Sequence, residues 1–336
     1  MAHTQGLWEP LRGQNIFLTG GTAFVGIWLL ESLLWANETL GLRIGVVVLT
    51  RDPKRFREKA PHICGDPAFR LIEGDAASFE YPAGAYPFVI HAAMEPAFEP
   101  GAEHPLGAFA SNMDGTRRVL EFARMRGVRR FMYTSSGAVY GKQPSQMTHI
   151  DEDYPGAPST TDFSTVYGQA KRASEFMCAM YGRAYGFDAT IARLFAFVGP
   201  LLPLDSNFAV GNFIRDSLRG GPVRIAGDGT PHRSYLYGAD LAVWLWTILL
   251  RGEAATPYNV GSPSDLTIAD LARLVVRVVA PETRIEIARQ PAPGAAPLRY
   301  VPRTTRAEEQ LGLSPRISLE EGIRRTAEWH RAGDTW

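Results

Sequence analysis

TGGTAFVG, residues 19–26, follows the short apolar run NIFLTG (15–20) and opens the longer run FVGIWLLESLLWAN (24–37). The second run is apolar nearly all round and too long for a strand. Strand, glycine turn and buried helix are therefore expected in succession. In this spacing Gly20 makes the tight turn and Gly26 lets the helix close on the sheet. Ala23 holds the middle position, where backbone normally approaches a pyrophosphate at the helix N-terminus. The turn reads as a dinucleotide site formed by Gly20, Thr22, Ala23, Phe24, Val25 and Gly26, with one methyl group more than the pattern asks for. A ligand-free strand-to-helix turn has the same spacing, so the turn alone does not choose between them.

Outward from the turn, strand-like and helix-like segments alternate. RIGVVVLT (43–50) is a β-branched run that suits a buried parallel strand. FRLIEGD (69–75), PFVIHAA (87–93), VRRFMYTSS (128–136) and DATIARLFAF (188–197) read as further strands. Helices are expected over 115–127, closed by Gly127, and about 165–185. The rhythm predicts an α/β fold of the Rossmann type, a doubly wound parallel sheet. Past residue 197 proline and glycine become frequent. Residues 1–197, with part of 236–262, are expected to form the dinucleotide-binding domain, and 198–235 with 263–336 a smaller, interleaved substrate lobe.

Composition narrows the function classes. The chain has 336 residues, 45% of them hydrophobic, with 35 basic and 35 acidic side chains. A zero balance argues against nucleic acid as partner, since no excess of cations exists to neutralise phosphates. The cluster RDPKRFREK (51–59) reads either as a local anion site or as a solvated helix face. Cys64 and Cys178 make no disulfide framework and show no metal-ligand spacing, so no metal is expected. MAHTQGLWEP (1–10) lacks a signal pattern. LAVWLWTILL (241–250) is about half a membrane span. A soluble, cytoplasmic protein without a membrane partner is expected.

Chemistry enters with YGQAK (167–171). Tyr167 and Lys171 are four apart on a predicted helix and share one face. A lysine near a phenol lowers its pKa, which suits general-base work near neutral pH. Upstream, TSSGAVYG (134–141) ends a strand in hydroxyls, of which Ser136 is placed to hydrogen-bond a reacting oxygen. GD (74–75) closes the third strand, where Asp75, with Ala76 beside it, can reach an adenine amino group. HAA (91–93) closes the fourth with His91, Ala92 and Ala93, small enough overall for a cofactor to lie along the sheet edge. All stand at carboxyl ends of strands, where open α/β sheets bind ligands.

With these motifs, and with SNMDGT (111–116), GDGTPHRSYLYGADLA (227–242) and YNVGS (258–262), the chain resembles the extended short-chain dehydrogenase/reductases of the NAD(P)-dependent sugar-nucleotide epimerase/dehydratase family. The resemblance implies a Ser136–Tyr167–Lys171 catalytic triad, with Tyr167 and Lys171 also touching the cofactor. It implies a cofactor contact at Asn112, a substrate-diphosphate contact at Arg233, and a homodimer formed through helices near 115–127 and 166–185. Glu95, Ser136 and Asn207 are placed with the substrate. Ala196 stands where relatives often have an asparagine. PAPGA (291–295) lacks the family's second phosphate arginine, for which Arg299 can substitute. Gly137 and Ala138 stand where 4,6-dehydratases carry an acid pair. Glu95 is the best-placed replacement acid, ahead of Asp162 and Asp205.

Thr50 and Arg51 close the second strand, where NAD sites usually place an acid, and Asp52 comes one step late. Arg51 suits a 2′-phosphate, which favours NADP over NAD. It can also stack on adenine beside NAD. The expected activity is epimerisation of a nucleotide-diphosphate sugar through a transient 4-ketone. The alternatives are a 4,6-dehydratase with relocated acids, an NADPH-dependent ketosugar or carbonyl reductase, and a non-catalytic dinucleotide sensor.

Overall fold

The computed structural model describes residues 2–94, 105–206 and 208–333; Glu95 and Asn207 lie outside the described residues. The first elements are β1 (Asn15–Thr19), α1 (Phe24–Leu40), β2 (Gly45–Thr50), α2 (Pro53–Lys59), α3 (Pro61–Gly65) and β3 (Phe69–Glu73). There follow β4 (Phe88–His91), α4 (Pro105–Met125), β5 (Arg130–Ser136), α5 (Val166–Tyr185), β6 (Asp188–Leu194), β7 (Phe197–Val198) and α6 (Ala209–Leu218). Next come β8 (Val223–Ile225), β9 (His232–Ser234), β10 (Leu236–Tyr237), α7 (Gly238–Arg251), β11 (Pro257–Val260) and β12 (Asp265–Thr267). The chain closes with α8 (Ile268–Val279), β13 (Ile285–Ile287), β14 (Arg299–Tyr300), α9 (Thr305–Leu311) and α10 (Leu319–Arg331).

The main sheet has seven strands in the order β11-β6-β5-β4-β1-β2-β3. The pairings of β3, β2, β1, β4, β5 and β6 with one another are parallel. Phe17 on β1 lies in register with Val47 on β2 and Val89 on β4. All three are buried, as expected for strands covered on both faces. Strand order reverses at β1, so the crevice beyond the carboxyl ends of β1 and β4 is the place for a ligand.

Helix α1 buries Ile27, Leu29, Leu30, Leu33 and Leu34. Each stabilises the fold by roughly 1.5–3 kcal/mol, and truncation such as Leu30→Ala would cost about 2–5 kcal/mol. The helix ends because Gly41 takes φ 59° and the Asn37 amide bonds both the N–H and the carbonyl of Ile44.

Two boundaries differ from the sequence reading. The helix expected from Gly115 begins ten residues earlier, at Pro105. Gly115 sits in its interior because a Cβ there would come within 3.3 Å of the Ala76 Cβ, so close packing, not chain breaking, accounts for the glycine. The run 188–197 divides after Leu194, and Phe197–Val198 pairs with Leu236–Tyr237 instead.

Two compact units divide the chain. One comprises the residues up to Lys142, Pro155–Leu194 and Ala242–Tyr258. The other comprises Gln143–Tyr154, Phe195–Leu241 and the residues from Asn259 onward. Within the second unit, Ile150 N–H bonds the Val301 carbonyl at 2.8 Å, and Gln143 Oε1 accepts from Val301 N–H at 3.0 Å.

Candidate active site

The opening turn is built by contact. Gly20 has φ 75°, and a Cβ there would lie 2.4 Å from the Ala92 carbonyl carbon. A Cβ on Gly26 would lie 2.2 Å from the Gly20 oxygen. Neither position admits a side chain. Ala23 is different: φ −94° and ψ 173° are open to any residue, and its methyl group caps nothing. Ile27 N–H bonds the Ala23 carbonyl at 2.9 Å, so the N–H groups before it have no carbonyl within the helix. Such a terminus favours an anion.

A cleft of about 230 Å³ opens at this point. Its walls include Gly20, Thr22, Ala23, Arg51, Asp75, Ala76, His91, Ala92, Ala93 and Asn112, all expected from sequence. Leu49, Thr50, Gly74, Met94, Ser111 and Gly115 complete them. Each of these adjoins an expected residue or lies within a motif quoted for one. Phe24, Val25 and Gly26 are not among the walls: the Phe24 ring stands edge-on to Trp28 at 6.5 Å, and Gly26 packs behind the turn.

His91 organises the floor. Thr19 Oγ1 accepts from Ala93 N–H at 3.1 Å and stands 2.8 Å from His91 Nδ1, to which it donates because Thr116, its own proton committed to the Asn112 carbonyl, must accept from Nε2. Nε2 then carries the ring proton and donates to Thr116 Oγ1 at 3.1 Å, while Thr116 donates to the Asn112 carbonyl at 2.9 Å. Burial, helped by the charge of Lys171, pulls the His91 pKa down to about 3, so the ring is neutral. Asp75 Oδ1 accepts from Ala77 N–H at 2.8 Å and fixes the turn after β3.

Ser136, Tyr167 and Lys171 come together at the end of β5 and the start of α5. Ser136 is buried, accepts from Ala138 N–H at 3.2 Å, and is hydrogen-bonded to Tyr167. Tyr167 is half-buried. Lys171 is 3% exposed; its Nζ donates to the Thr134 carbonyl at 2.5 Å and stands 4.7 Å from the Tyr133 ring centre.

The electrostatics correct the sequence reading. Burial raises the Tyr167 phenol above its ordinary pKa, and the Ser136 hydrogen bond offsets only part of this. Burial also brings Lys171 down to about 7, opposed by the charge of Glu175. The net direction at Tyr167 is therefore upward, set by burial, and not the lowering expected from a lysine four residues away.

The profile of the NAD dependent epimerase/dehydratase family matches residues 16–261. The chain belongs to this family. UDP-glucuronic acid decarboxylase 2 of Arabidopsis thaliana is 30% identical to it over 312 residues, 93% of this chain and 67% of the relative. The structure of DesIV, a dTDP-glucose 4,6-dehydratase of Streptomyces venezuelae with NAD bound, superposes with a TM-score of 0.78 at 25% identity, covering 95% of this chain and 98% of that one. UDP-glucose 4-epimerase of Thermotoga maritima shares the fold, with a TM-score of 0.79 at 23% identity over 96% of this chain and 100% of that one.

An NAD-dependent epimerase/dehydratase needs a dinucleotide cradle, and these residues fit one: two glycines without room for a Cβ, a helix terminus with open N–H groups, and a cleft ending at a neutral buried imidazole. Beside the cleft, a groove of about 390 Å³ gathers Arg51, Arg55 and Lys59 with Thr22 and Asp52. Asp52 caps α2, accepting from Arg55 N–H at 2.9 Å.

The expected acids are engaged elsewhere or not described. Asp162 caps the turn before α5 through Ser164 N–H at 2.9 Å, and Asp205 pairs with Arg215 at 3.1 Å. In the second unit, β12, β9 and β14 form a small sheet that sets Arg299 opposite His232 and Tyr300 opposite Arg233. Asp265 Oδ2 holds both Arg299 Nη1 at 2.9 Å and His232 Nδ1 at 2.5 Å. Arg233 Nη1 donates to the His232 carbonyl at 2.8 Å. No helix among the described residues is long and apolar enough to cross a membrane, and no group of three or more His, Cys, Asp or Glu among them could hold a metal ion.

Proposed function

We propose that this chain oxidises the C4 hydroxyl of a nucleotide-diphosphate sugar to a transient ketone and reduces it again on the other face, giving the epimer. The grouping of Ser136, Tyr167 and Lys171 carries the reading. A bound nicotinamide dinucleotide would supply reversible hydride acceptance. Tyr167 takes the hydroxyl proton. Ser136, which accepts from Ala138 N–H and is hydrogen-bonded to Tyr167, would turn its hydroxyl to the substrate oxygen when the sugar is in place. Lys171, when protonated, supplies the positive charge that the half-buried phenol needs to ionise.

Loss of water would require a base and an acid beside C5, and Gly137 and Ala138 supply neither. A second reading has the likeness to UDP-glucuronic acid decarboxylases in its favour. A 4-ketone next to a carbon bearing a carboxylate is a β-keto acid and loses carbon dioxide without an acid pair. Incubation with UDP-glucose, UDP-glucuronic acid and dTDP-glucose, read by mass spectrometry and NMR, separates these outcomes. Unchanged mass means epimerisation, loss of carbon dioxide means decarboxylation, and loss of water overturns both readings.

Three further assignments belong to the same proposal. NADP is favoured over NAD, because Arg51, Arg55 and Lys59 stand around one groove while the Asp52 carboxylate is occupied by the helix terminus. The first unit is assigned the dinucleotide and the second the sugar nucleotide, with Arg233 as the diphosphate contact and Arg299 as a further contact. Leu106 and Met125 on α4, with Phe176, Met180 and Tyr185 on α5, are exposed apolar side chains that a second copy of the chain would cover.

A further inference from the structure

Glu175 continues the spacing of Tyr167 and Lys171 by one more helical turn, so the three side chains share one face of α5. It is 7% exposed, an unusual place for a carboxylate. Four hydrogen bonds hold it. Ser135 Oγ donates to Oε1 at 2.5 Å. Arg193 Nε donates to Oε1 at 3.0 Å and to Oε2 at 3.3 Å, and Nη2 donates to Oε2 at 2.8 Å. Arg193 is anchored in turn: Nη1 donates to Tyr140 Oη at 2.9 Å, and the guanidinium stands 4.7 Å from the centre of that ring.

Ser135 and Arg193 are register partners on β5 and β6. The carboxylate therefore ties the catalytic helix to the strand that carries Thr134, the Lys171 acceptor, and Ser136. Burying an ion pair contributes little net stability compared with apolar side chains of the same size. Its position one turn from a buried lysine suggests a use in the reaction.

We propose that Glu175 is a positioning residue for the reaction: clamped by Arg193 and Ser135, it is the fixed counter-charge that keeps the Lys171 ammonium in place beside Tyr167. The inference rests on the proposed roles of Tyr167 and Lys171. The groups facing Lys171 are Glu175, Tyr167 and Cys178 on its own helix, Tyr133 and the Thr134 carbonyl on β5, and His91 on β4. His91 is neutral, and burial pushes both Tyr133 and Cys178 up, so neither carries charge near neutral pH. Glu175 is the negative charge in that set. Arg193 faces the carboxylate, not the ammonium.

The chain has four lysines, Lys54, Lys59, Lys142 and Lys171, so lysine labelled with carbon-13 at Cε gives a spectrum simple enough to follow one side chain. The test titrates Lys171 by NMR in the protein without added ligand, a readout independent of any substrate. In the unaltered chain its midpoint is expected at about 7. In Glu175→Gln it should move down by about 1 pH unit or more, the effect of removing an opposite charge one helical turn away. At pH 7 the charged fraction then falls from about half to about one-tenth, and turnover at that pH should fall roughly fivefold. Glu175→Asp, which keeps the charge, should restore most of the midpoint.

If Glu175→Gln alone does not fold because it strands Arg193, the double variant Glu175→Gln/Arg193→Gln leaves no lone buried charge. Its midpoint should still move down, by less than in the single variant, because a positive charge leaves together with the negative one. An unchanged Lys171 midpoint in a folded single or double variant overturns the proposal, whatever the sugar substrate proves to be. A moved midpoint with unaltered turnover would instead count against the role given to Lys171.

Discussion

Replacing Gly20 by alanine probes the join between the opening turn and the end of β4. The left-handed backbone at φ 75° costs an L side chain about 1–2 kcal/mol. The added Cβ would also sit 2.4 Å from the Ala92 carbonyl carbon and 2.5 Å from the Ala93 nitrogen. That backbone cannot simply step aside, because Ala92 N–H bonds the Thr19 carbonyl and Ala93 N–H bonds Thr19 Oγ1, each at 3.1 Å. Relief by backbone movement adds roughly 1–3 kcal/mol. The expected loss is about 2–5 kcal/mol, a large part of the ~5–15 kcal/mol available to a folded domain. Gly127 supplies the control. It has φ 71° but nothing within 4 Å of a built Cβ, so Gly127→Ala should cost only the ~1–2 kcal/mol of conformation. Urea unfolding gives both values, and titration of NAD and NADP against intrinsic fluorescence gives affinity. Gly20→Ala should lose affinity for both dinucleotides while Gly127→Ala keeps it. Equal stability losses in the two variants, with cofactor binding intact in both, would refute the contact.

Ala23→Gly should bind cofactor equally or more tightly, since φ −94° requires no side chain and the methyl group stands in the cleft wall; a clear loss in titration would mean that the methyl is needed. Arg51→Ala should weaken NADP by about 1–3 kcal/mol and leave NAD unchanged, whereas equal losses would mean that Arg51 only stacks on adenine. His91 should contribute to acid unfolding. Its folded pKa of about 3 lies below the ordinary 6.5, so the unfolded chain binds the extra proton first, and stability is lost as pH falls from about 6.5 to about 3, by at most about 5 kcal/mol. In His91→Gln the slope of stability against pH over that window should flatten; an unchanged slope would mean that His91 is not buried as a neutral ring.

Much of the site is legible in sequence because its signals are matters of spacing. Gly20 and Gly26 announce close approaches, and Tyr167 with Lys171 announces a helix face. Ser136, Asp75 and His91 stand where strands end. Other features needed packing to be seen. Gly115 reads as a helix start because glycine is a poor helix former, and only the nearness of Ala76 explains its interior position. Glu175 was not singled out in the sequence: its role shows only once the β5–β6 register brings Ser135 and Arg193 to it, although its spacing from Lys171 was a usable signal. The spacing of Tyr167 and Lys171 conveys their proximity but not the burial that raises the phenol.

The central claim is that Tyr167 starts an oxidation whose hydride comes back to the same sugar. Its most direct test uses UDP-glucose and UDP-glucuronic acid carrying deuterium at C4, with the intact chain and Tyr167→Phe compared under one set of conditions. The expected result is a product that retains its deuterium, no label in cofactor released to solution, and turnover lower by about 10²-fold or more in Tyr167→Phe. Deuterium accumulating in released cofactor, or near-normal turnover in Tyr167→Phe, would contradict it.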